Sequence, residues 1–240
     1  MINDKKVLGI VLARAGSKGL PDKNSKLLNG KPLIQYSLEA GIESRYIDEM
    51  IISSDCALCN DVAQSLGVVA PFKRPDYLSG DNVQSSEVIK HVIDHLQQQG
   101  YKYDIFVLLE PTSPLRDSAL VDAALEKISR TEYTSLVTVC KAEDQHPSFM
   151  FKIQDNGKLE TWGGNKFIPL RRQDIGEAYF LEGSIYISCI DTFLRLETFC
   201  HENTGSYIVP KWQSFEIDDV WDFICVESIM KFKQELKEDD

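Results

Sequence analysis

Apolar residues along the chain form short runs that alternate with segments of helical periodicity. Val7–Ala13 is an almost unbroken apolar run, which is typical of a parallel strand covered on both faces. In residues 32–44 the apolar side chains recur every three to four positions behind a proline, which predicts a helix. The same patterns predict strands at 49–54, 67–70, 104–109 and 134–140, and helices at 57–66, 85–99 and 118–129.

This alternation indicates an α/β fold in which right-handed crossovers connect the strands of a mostly parallel sheet. The alternation stops after Cys140. Residues 149–153 and 158–162 flank an Asp-Asn-Gly sequence, which predicts a β-hairpin. We expect this hairpin to belong to an inserted arm, around residues 142–172, that serves a partner subunit.

The remaining pattern predicts a strand at 179–188 and a last helix at 220–235, so that one domain spans residues 1–240. A chain of this length with 43% hydrophobic and 26% charged residues buries a core, which excludes a disordered or fibrous protein. The net charge of −11 argues against nucleic acid and acidic membranes as partners. No apolar run approaches about 18 residues and the N-terminus is polar, so we expect a cytoplasmic protein without a membrane segment.

Two residue pairs could in principle bind a metal or carry redox chemistry. The 6 cysteines accompany no export signal, so we expect free thiols. Cys56 and Cys59 form a CxxC pair without a second pair at zinc spacing, which favours helix packing over a redox or metal role. His91 and His95 form an HxxxH pair without the glutamate of HExxH, which favours two helix-surface imidazoles over a metal site.

Candidate chemistry begins in the loop that follows the first predicted strand. Residues 12–24 contain two glycines, a proline and the cations Arg14, Lys18 and Lys23. Ligands of open α/β sheets bind at the carboxyl ends of the strands, and such a loop suits phosphates held by backbone N–H groups. It matches neither the Walker A nor the GxGxxG pattern, and an ordinary surface loop remains the alternative.

Three further segments carry polar groups that suit the same edge of the sheet. Residues 109–116 form a turn rich in proline and hydroxyl groups, directly after a predicted strand. Arg171 and Arg172 present two guanidinium groups, which are well suited to bind a carboxylate or a phosphate. A solvent-exposed basic loop without a ligand is an equally good interpretation of this pair. Glu216 and Asp218 are two residues apart on an extended segment, so both carboxylates project from one face and suit Mg²⁺. Asp219 in turn is expected to be the N-cap of the last helix.

Taken together, these segments resemble the acylneuraminate cytidylyltransferase family, the CMP-sialic acid and CMP-nonulosonic acid synthetases. The resemblance rests on ARAGSKGLPDKN at 13–24, EPTSPLR at 110–116, RRQD at 171–174, EGSIYI at 182–187 and FEID at 215–218. It implies a Rossmann-like nucleotidyltransferase sandwich of three layers and a homodimer formed through the inserted arm. The implied reaction is Mg²⁺-dependent transfer from CTP to a free 3-deoxy-2-keto sugar acid, which gives the CMP-sugar and pyrophosphate.

The resemblance also implies roles for individual residues, and these fall into four groups. The CTP group is Leu12, Ala13, Arg14, Gly16, Ser17, Lys18, Lys23, Asn24, Arg74 and Ser85. The sugar group is Glu110, Thr112, Ser113, Arg172, Gln173, Phe180 and Glu182. The metal ligands are Glu216 and Asp218, and the catalytic group is Arg14, Lys18, Arg171 and Asp218. Either Asp218 or a metal-bound hydroxide is expected to accept the proton of the attacking hydroxyl.

The sequence departs from the family pattern in the half of the site that faces the sugar. Glu110 stands where the family has Gln, and Glu216 replaces the first Asp of IDID. Phe180 and Glu182 occupy a stretch that commonly reads Arg-x-Asn-Gly in the family. A nonulosonic acid of the legionaminic type, with an amino or acetamidino group, would suit the additional carboxylates.

Two other interpretations remain open. One is a nucleotidyltransferase for a different acceptor, either a Kdo-type acid or a sugar phosphate. The other is a catalytically silent CTP-binding dimer. The retained cations and acidic pair argue against a silent protein, because binding alone requires no stabilised transition state.

Overall fold

Strands and helices alternate over most of the described chain. The computed structural model describes residues 1–16, 19–143, 145–162, 171 and 175–233. The strands are β1 (Val7–Ala13), β2 (Leu27–Leu28), β3 (Lys31–Pro32), β4 (Glu49–Ser54), β5 (Ile105–Leu109), β6 (Ser135–Lys141), β7 (Phe151–Ile153), β8 (Leu159–Thr161), β9 (Tyr179–Cys189) and β10 (Thr204–Ile208). The helices are α1 (Leu33–Ile42), α2 (Ala57–Ser65), α3 (Ser85–Gln98), α4 (Ser118–Ser129), α5 (Ile190–Leu196) and α6 (Val220–Lys231).

Within the described residues, a sheet of 6 strands in the order β10-β6-β9-β5-β1-β4 forms the centre of the fold. β1 pairs in parallel with both β4 and β5, and β10 pairs in parallel with β6. β9 runs antiparallel to its neighbours β5 and β6. The expected mostly parallel sheet is therefore confirmed, with one reversed strand inside it.

Helices cover the sheet on both faces because its central strands are apolar on both sides. On β1, Val7 and Val11 face a core completed by α1, α2 and α4. Leu8 and Ile10 point to the opposite face and contact a second core made with α3 and α5. This alternation produces three layers, which is the arrangement that the unbroken apolar run predicts.

The carboxyl-terminal part of the chain contains elements that its sequence pattern does not predict. α5 has only 7 residues, which is too short for a helical period to stand out, and β10 has the sequence TGSYI, which contains no apolar run. The predicted strand at 67–70 is wrong, because this stretch contributes a single bridge between Val69 and Ile51. Pro32 precedes α1 as its N-cap residue instead of lying inside the first turn.

The hairpin predicted after Cys140 is confirmed as the antiparallel pair β7 and β8. Gly157 has a φ of +80° in the connecting turn, a conformation that favours glycine. Ile153, Leu159 and Trp162 on this hairpin are exposed. Positions 144, 163–170 and 172 of the expected arm lie outside the described residues.

The CxxC pair and the HxxxH pair, both considered above for metal or redox chemistry, make hydrogen-bond and ring contacts with neighbouring residues. The Sγ atom of Cys56 accepts a hydrogen bond from the Cys59 backbone N–H at 3.4 Å and so caps α2. Burial raises the pKa of the Cys59 thiol, which disfavours the reactive thiolate. The rings of His91 and His95 both contact Phe72 edge-on. No group of three His, Cys, Asp or Glu residues suited to a metal ion occurs in the described part of the chain.

None of the helices that the structure describes is both long enough and apolar enough to cross a bilayer.

Phe193 tests whether α5, a helix that the sequence pattern does not predict, packs into a closed core against the sheet. It is 0% exposed, and its ring lies 5.0 Å from that of Phe106 and 4.9 Å from that of Phe199. We expect Phe193→Ala to lower the free energy of unfolding by about 3–5 kcal/mol, because it leaves a cavity in this core. Urea denaturation measures the loss.

The matched control is Phe232→Ala, because this ring is 54% exposed at the end of α6. Its effect on the free energy of unfolding should stay within about 1 kcal/mol. Equal losses for the two variants would contradict the assignment of Phe193 to a closed core.

Candidate active site

A cavity of about 470 Å³ opens at the carboxyl ends of β1 and β5. Its walls come from the loop after β1, the stretch between β4 and α3, the turn after β5 and the segment before α6. The position agrees with the rule that ligands of α/β sheets bind beyond the carboxyl ends of the strands. The residues expected from sequence that line it are Leu12, Arg14, Lys23, Asn24, Arg74, Ser85, Glu110, Thr112 and Asp218.

The loop after β1, residues 14–24, is held in shape by its own polar contacts. Asn24 donates from Nδ2 to the backbone oxygen of Arg14 at 3.2 Å. The backbone N–H of Ala15 donates to Asp55 at 2.9 Å. Arg14 forms an ion pair with Asp81, another residue that lines the cavity. The described part of the loop is therefore held by one contact of its own and by two aspartates, Asp55 and Asp81, that lie later in the chain.

Several of the residues expected in this region do not line the cavity or are not described. Ser17 and Lys18 lie outside the described residues, as do Arg172 and Gln173. Ala13 is buried inside β1, and Gly16 is exposed in the loop. Arg171 is described and exposed, and Ser113 is fully buried.

Lys23 connects the loop to the segment that precedes α6. Its Nζ atom donates to the Ile217 carbonyl at 2.7 Å and to the Asp218 carboxylate at 3.1 Å. Gly19 contacts the same segment, since a Cβ atom at this position would lie 2.4 Å from the backbone oxygen of Asp218. The loop therefore contacts the acidic segment at two points, the side chain of Lys23 and the backbone of Gly19.

The acidic segment is fixed from its other side by the turn after β5 and by α6. The Ile217 N–H donates to the Thr112 carbonyl at 2.8 Å, and the Ile217 side chain is buried. Asp219 caps α6 as expected, accepting from the N–H groups of Trp221 and Asp222 at 2.7 and 3.0 Å. Asp222 in turn accepts from the Asp218 N–H at 2.9 Å, so the cap also orients Asp218.

Glu216 and Asp218, the two acidic residues of this segment, line different cavities. The Asp218 side chain is 77% exposed and lines the main cavity. Glu216 lines a second cavity of about 260 Å³, and a Cβ atom on Gly183 would lie 2.1 Å from its Oε1 atom. Two carboxylates beside a phosphate site are the usual protein share of a magnesium site.

Burial and neighbouring charges shift the pKa values of the acidic groups at this junction. Burial raises the pKa of Glu110 to about 7, against the opposing effect of Arg116, Lys23 and Arg74. Burial, with additional repulsion from Asp218 and other carboxylates, also raises the pKa of Glu216 to about 7. Near neutral pH, both carboxylates therefore have an environment that disfavours their charge.

Arg116 is a functional-site candidate to which the sequence analysis assigned no role, although it belongs to the EPTSPLR motif. It is 2% exposed and donates from Nη1 to the backbone oxygens of Glu110 and Ser184 at 3.3 and 3.1 Å. Burial lowers its pKa to about 10. Its Nε and Nη2 atoms are buried without a hydrogen-bond partner, as is Oε2 of Glu182. The only sequence signal for Arg116 is its position as the last residue of the EPTSPLR motif.

Arg74, by contrast, lies where it was expected. It is 4% exposed, lines the main cavity and donates to the hydroxyl and carbonyl oxygens of Ser53, near the end of β4, at 3.2 and 2.5 Å. Burial lowers its pKa, while Asp55 and Glu110 act in the opposite direction.

Asp81 is a site residue that no motif signals, because its partner Arg14 is distant in sequence. Asp222, by contrast, is the local capping-box partner of Asp219 at the start of α6.

The second cavity lies close to the main one, since its lining residue Asp222 accepts a hydrogen bond from the backbone N–H of Asp218, which lines the main cavity. Its walls include Phe180 and Phe215, together with Lys141 from the end of β6. Glu182 does not line it and is instead 2% exposed, with Oε1 accepting from the Ser184 hydroxyl at 2.5 Å. Of the residues expected around the sugar, Phe180 thus faces the second cavity, whereas Glu110 and Thr112 face the main one.

Comparison with known proteins confirms the resemblance that the motifs indicate. A profile of the cytidylyltransferase family matches residues 8–203. The chain is 34% identical to an N-acylneuraminate cytidylyltransferase of Streptococcus agalactiae, over 97% of this chain and 55% of that protein. It therefore spans about half the length of that relative.

Two other relatives are matched over nearly their whole length. The CMP-N,N'-diacetyllegionaminic acid synthase of Legionella pneumophila is 33% identical, over 96% of this chain and 98% of that protein. The pseudaminic acid cytidylyltransferase of Campylobacter jejuni is 30% identical, with the same coverage of 96% and 98%.

Among solved structures, the fold is similar to that of CMP:2-keto-3-deoxy-manno-octonic acid synthetase complexed with CTP. The TM-score is 0.69 at 17% identity, over 95% of this chain and 99% of the other. At this identity the likeness shows the fold alone, and it confirms the expected nucleotidyltransferase sandwich.

Gly19 offers a test of the close contact between the loop and the acidic segment. We expect Gly19→Ala to lower the free energy of unfolding by about 1–3 kcal/mol, because the added methyl group would displace the Asp218 backbone. Gly16→Ala is the matched control in the same loop, since nothing lies within 4 Å of a Cβ atom there. Its effect should stay within about 0.5 kcal/mol in the same denaturation experiment. Equal effects of the two substitutions would argue against the contact.

The pH dependence of the free energy of unfolding offers a test of the raised pKa of Glu110. Its raised pKa means that the folded protein binds this proton more tightly than the unfolded chain. Ionising Glu110 in the folded protein therefore lowers the free energy of unfolding. This loss is absent below about pH 4.5, grows as the pH rises and is complete above about pH 7. We expect the free energy of unfolding of Glu110→Gln, relative to the native protein, to increase by on the order of 1–3 kcal/mol between pH 5 and pH 8.

The control for this pH series is Glu202→Gln, because Glu202 is exposed and lies outside both cavities. Its difference from the native protein should not change with pH. A difference for Glu110→Gln that is equally independent of pH would mean that Glu110 titrates at its ordinary value.

Proposed function

The chain belongs to the cytidylyltransferase family, and on this premise we propose that it transfers CMP from CTP to a free 3-deoxy-2-keto sugar acid. The products are the CMP-sugar and pyrophosphate. The observation that carries the proposal is the cavity in which the cationic loop after β1 meets the acidic segment before α6. The names of the three relatives support a nonulosonic acid as the acceptor.

The main cavity is the proposed site of CTP. Its volume of about 470 Å³ lies within the range of small-molecule sites. Arg14 and Lys23 would bind the triphosphate, and Lys18 of the same loop would add a third cation. Arg74 and Ser85, on the wall opposite the loop, would contact the nucleoside. A concentration of cations in this loop allows a protein with a net charge of −11 to bind a highly charged anion.

The second cavity is the proposed site of the acceptor. It adjoins the main cavity at Glu216 and Asp218, which are two residues apart. An acceptor there could present its anomeric hydroxyl to the α-phosphate of CTP. A new bond would form between this oxygen and the α-phosphorus, while the bond to the β-phosphate oxygen breaks and pyrophosphate leaves. Catalysis would then come from alignment of the two substrates and neutralisation of charge by the loop cations.

The carboxylates of this junction fit a magnesium ion. Asp218 and Glu216 would hold it together with phosphate oxygens, since Mg²⁺ is commonly bound through one or two carboxylates and substrate phosphates. When bound, it would neutralise charge on the reacting phosphates. Lys23 pairs with Asp218 in the structure and would orient that carboxylate. Asp218 is also the proposed acceptor of the proton that leaves the attacking hydroxyl.

We further propose that the chain forms a homodimer through the arm around residues 142–172. The hairpin β7–β8 supports this proposal, because Ile153, Leu159 and Trp162 expose apolar surface on it. Arg171, near the end of the arm, would contribute to catalysis. Cytoplasmic localisation remains an expectation from the sequence.

The proposed activity is tested by pyrophosphate release from CTP and Mg²⁺ with a panel of sialic, legionaminic, pseudaminic and Kdo-type acids. We expect release with at least one nonulosonic acid. We expect Asp218→Asn to lower kcat by about 100-fold or more, because it removes a carboxylate from the reacting centre. The variant should still bind CTP, as measured by calorimetry.

Asp61→Asn serves as the control, because Asp61 is exposed on α2 and lies outside both cavities. Full activity of Asp218→Asn would contradict the role of this residue. CTP binding without pyrophosphate release on any acid would instead favour the silent CTP-binding dimer, and release with the Kdo-type acid alone would favour a different acceptor class.

A further inference from the structure

The first cation of the loop after β1 is already paired with a carboxylate inside the main cavity. Arg14 donates from Nη1 to Oδ1 of Asp81, and both residues line this cavity. Asp81 belongs to the stretch between β4 and α3, so the pair connects two walls of the cavity. The proposed reaction gives this aspartate no role.

Lys23, the other described cation of the loop, is neutralised in the same manner. It donates to the Asp218 carboxylate at 3.1 Å. In the described part of the loop, both cations proposed to bind the triphosphate therefore have an aspartate as partner. Asp218 is used again in the proposed reaction, where it would hold Mg²⁺, whereas Asp81 lies outside the acidic segment.

The contact made by Asp81 differs from that made by Asp55, the other aspartate that holds the loop. Asp55 accepts from the backbone N–H of Ala15 at 2.9 Å and lines neither the main nor the second cavity. A ligand in either cavity can therefore leave this contact in place. Asp81 instead binds the side chain that a triphosphate would need.

The pair of Arg14 and Asp81 is exposed enough to be broken by a ligand. The two side chains are 34% and 41% exposed, and an exposed ion pair changes an equilibrium constant by no more than about fivefold. Asp81 lies in a turn in which the Val83 N–H donates to the Gly80 carbonyl at 3.2 Å. Its side chain can therefore move away without disrupting a helix or a strand.

A phosphate and the Asp81 carboxylate compete for the same guanidinium group. The donors of one guanidinium lie close together, so a phosphate bound to Arg14 would lie beside Asp81 if the ion pair persisted. The two anions repel each other, and the repulsion is stronger where the walls of a cavity exclude water. Binding of a triphosphate to Arg14 therefore favours departure of Asp81.

We propose that Asp81 is a built-in competitor of the substrate: its carboxylate takes the place of a phosphate on Arg14 until CTP displaces it, and it returns when pyrophosphate leaves. This inference rests on the proposed function, because it takes the main cavity as the site of CTP. The ligand that competes with Asp81 is a polyphosphate, either free or carried by a nucleoside. Asp81 lowers the affinity for substrate and product alike and so favours release of pyrophosphate.

Asp81→Asn keeps the size of the side chain and removes its charge. Calorimetry at fixed ionic strength, with Mg²⁺ and without an acceptor, measures the binding of CTP and, separately, of pyrophosphate. We expect the variant to bind both ligands about three- to tenfold more tightly than the native protein, because Arg14 no longer exchanges one anion for another. Thermal unfolding checks that the variant is folded.

Asp76→Asn is the matched control for this substitution. Asp76 is exposed in the same stretch between β4 and α3 but lines neither cavity. The control removes the same charge from the protein, and we expect it to leave both affinities unchanged.

A crystal structure of the native protein with CTP tests the displacement directly. Arg14 should contact the triphosphate, and its nitrogen atoms should lie more than about 4 Å from the Asp81 carboxylate, beyond the limit of an ion pair. An ion pair between Arg14 and Asp81 that persists in this complex would refute the inference.

The binding experiment has three outcomes that would overturn the inference. Equal affinities of Asp81→Asn and the native protein would refute the competition while leaving the proposed function intact. Weaker binding by the variant would mean that Asp81 assists the nucleotide or its metal ion, which contradicts the inference but not the reaction. Failure of the native protein to bind CTP would refute both the inference and the proposed function.

Discussion

The site depends on one short stretch of backbone, residues 216–218, being held from both sides. The amide of Ile217 bonds to the turn after β5, and its carbonyl accepts from Lys23 in the loop after β1. The burial of Ile217 fixes the direction in which its two acidic neighbours project, because side chains of extended backbone alternate. The capping box of α6 then limits the rotation of Asp218. Loop, turn and helix therefore share one reference point, at which the two cavities meet.

This arrangement removes two carboxylates of the site, those of Glu110 and Glu216, from much of their contact with water. Arg116 and Arg74 are both buried and donate mainly to oxygen atoms of the backbone and of Ser53. The consequence is seen in the raised pKa values of Glu110 and Glu216. Burial is the main cause for both residues, and only at Glu216 does repulsion from Asp218 and other carboxylates add to it. A magnesium ion held by Glu216 and Asp218 would relieve this repulsion.

The elements that were predictable from sequence share a physical reason. β1 has the predicted bounds, because a strand covered on both faces needs an unbroken apolar run, and β4 also has them around its apolar centre Met50–Ile52. α4 likewise has the predicted bounds, with Asp117 as its N-cap. α5 has only 7 residues, too few to show a helical period, and β10 has the sequence TGSYI, which lacks the apolar run that marks β5. The reversed direction of β9 also has no local signal, since strand direction depends on the path of the chain.

The sequence by itself determined the α/β class, the cationic loop, the acidic pair around Ile217 and the family resemblance, because these depend on local periodicity and on residue order. It also indicated that Glu110 and Glu182 depart from the family pattern. Only the tertiary structure decided that these two glutamates lie near Arg116, that Asp81 pairs with Arg14, and that the site is divided between two cavities. Each of these facts is a contact between residues far apart in the chain. Burial and electrostatic repulsion, which set the pKa values of the site, arise only when folding brings those residues together.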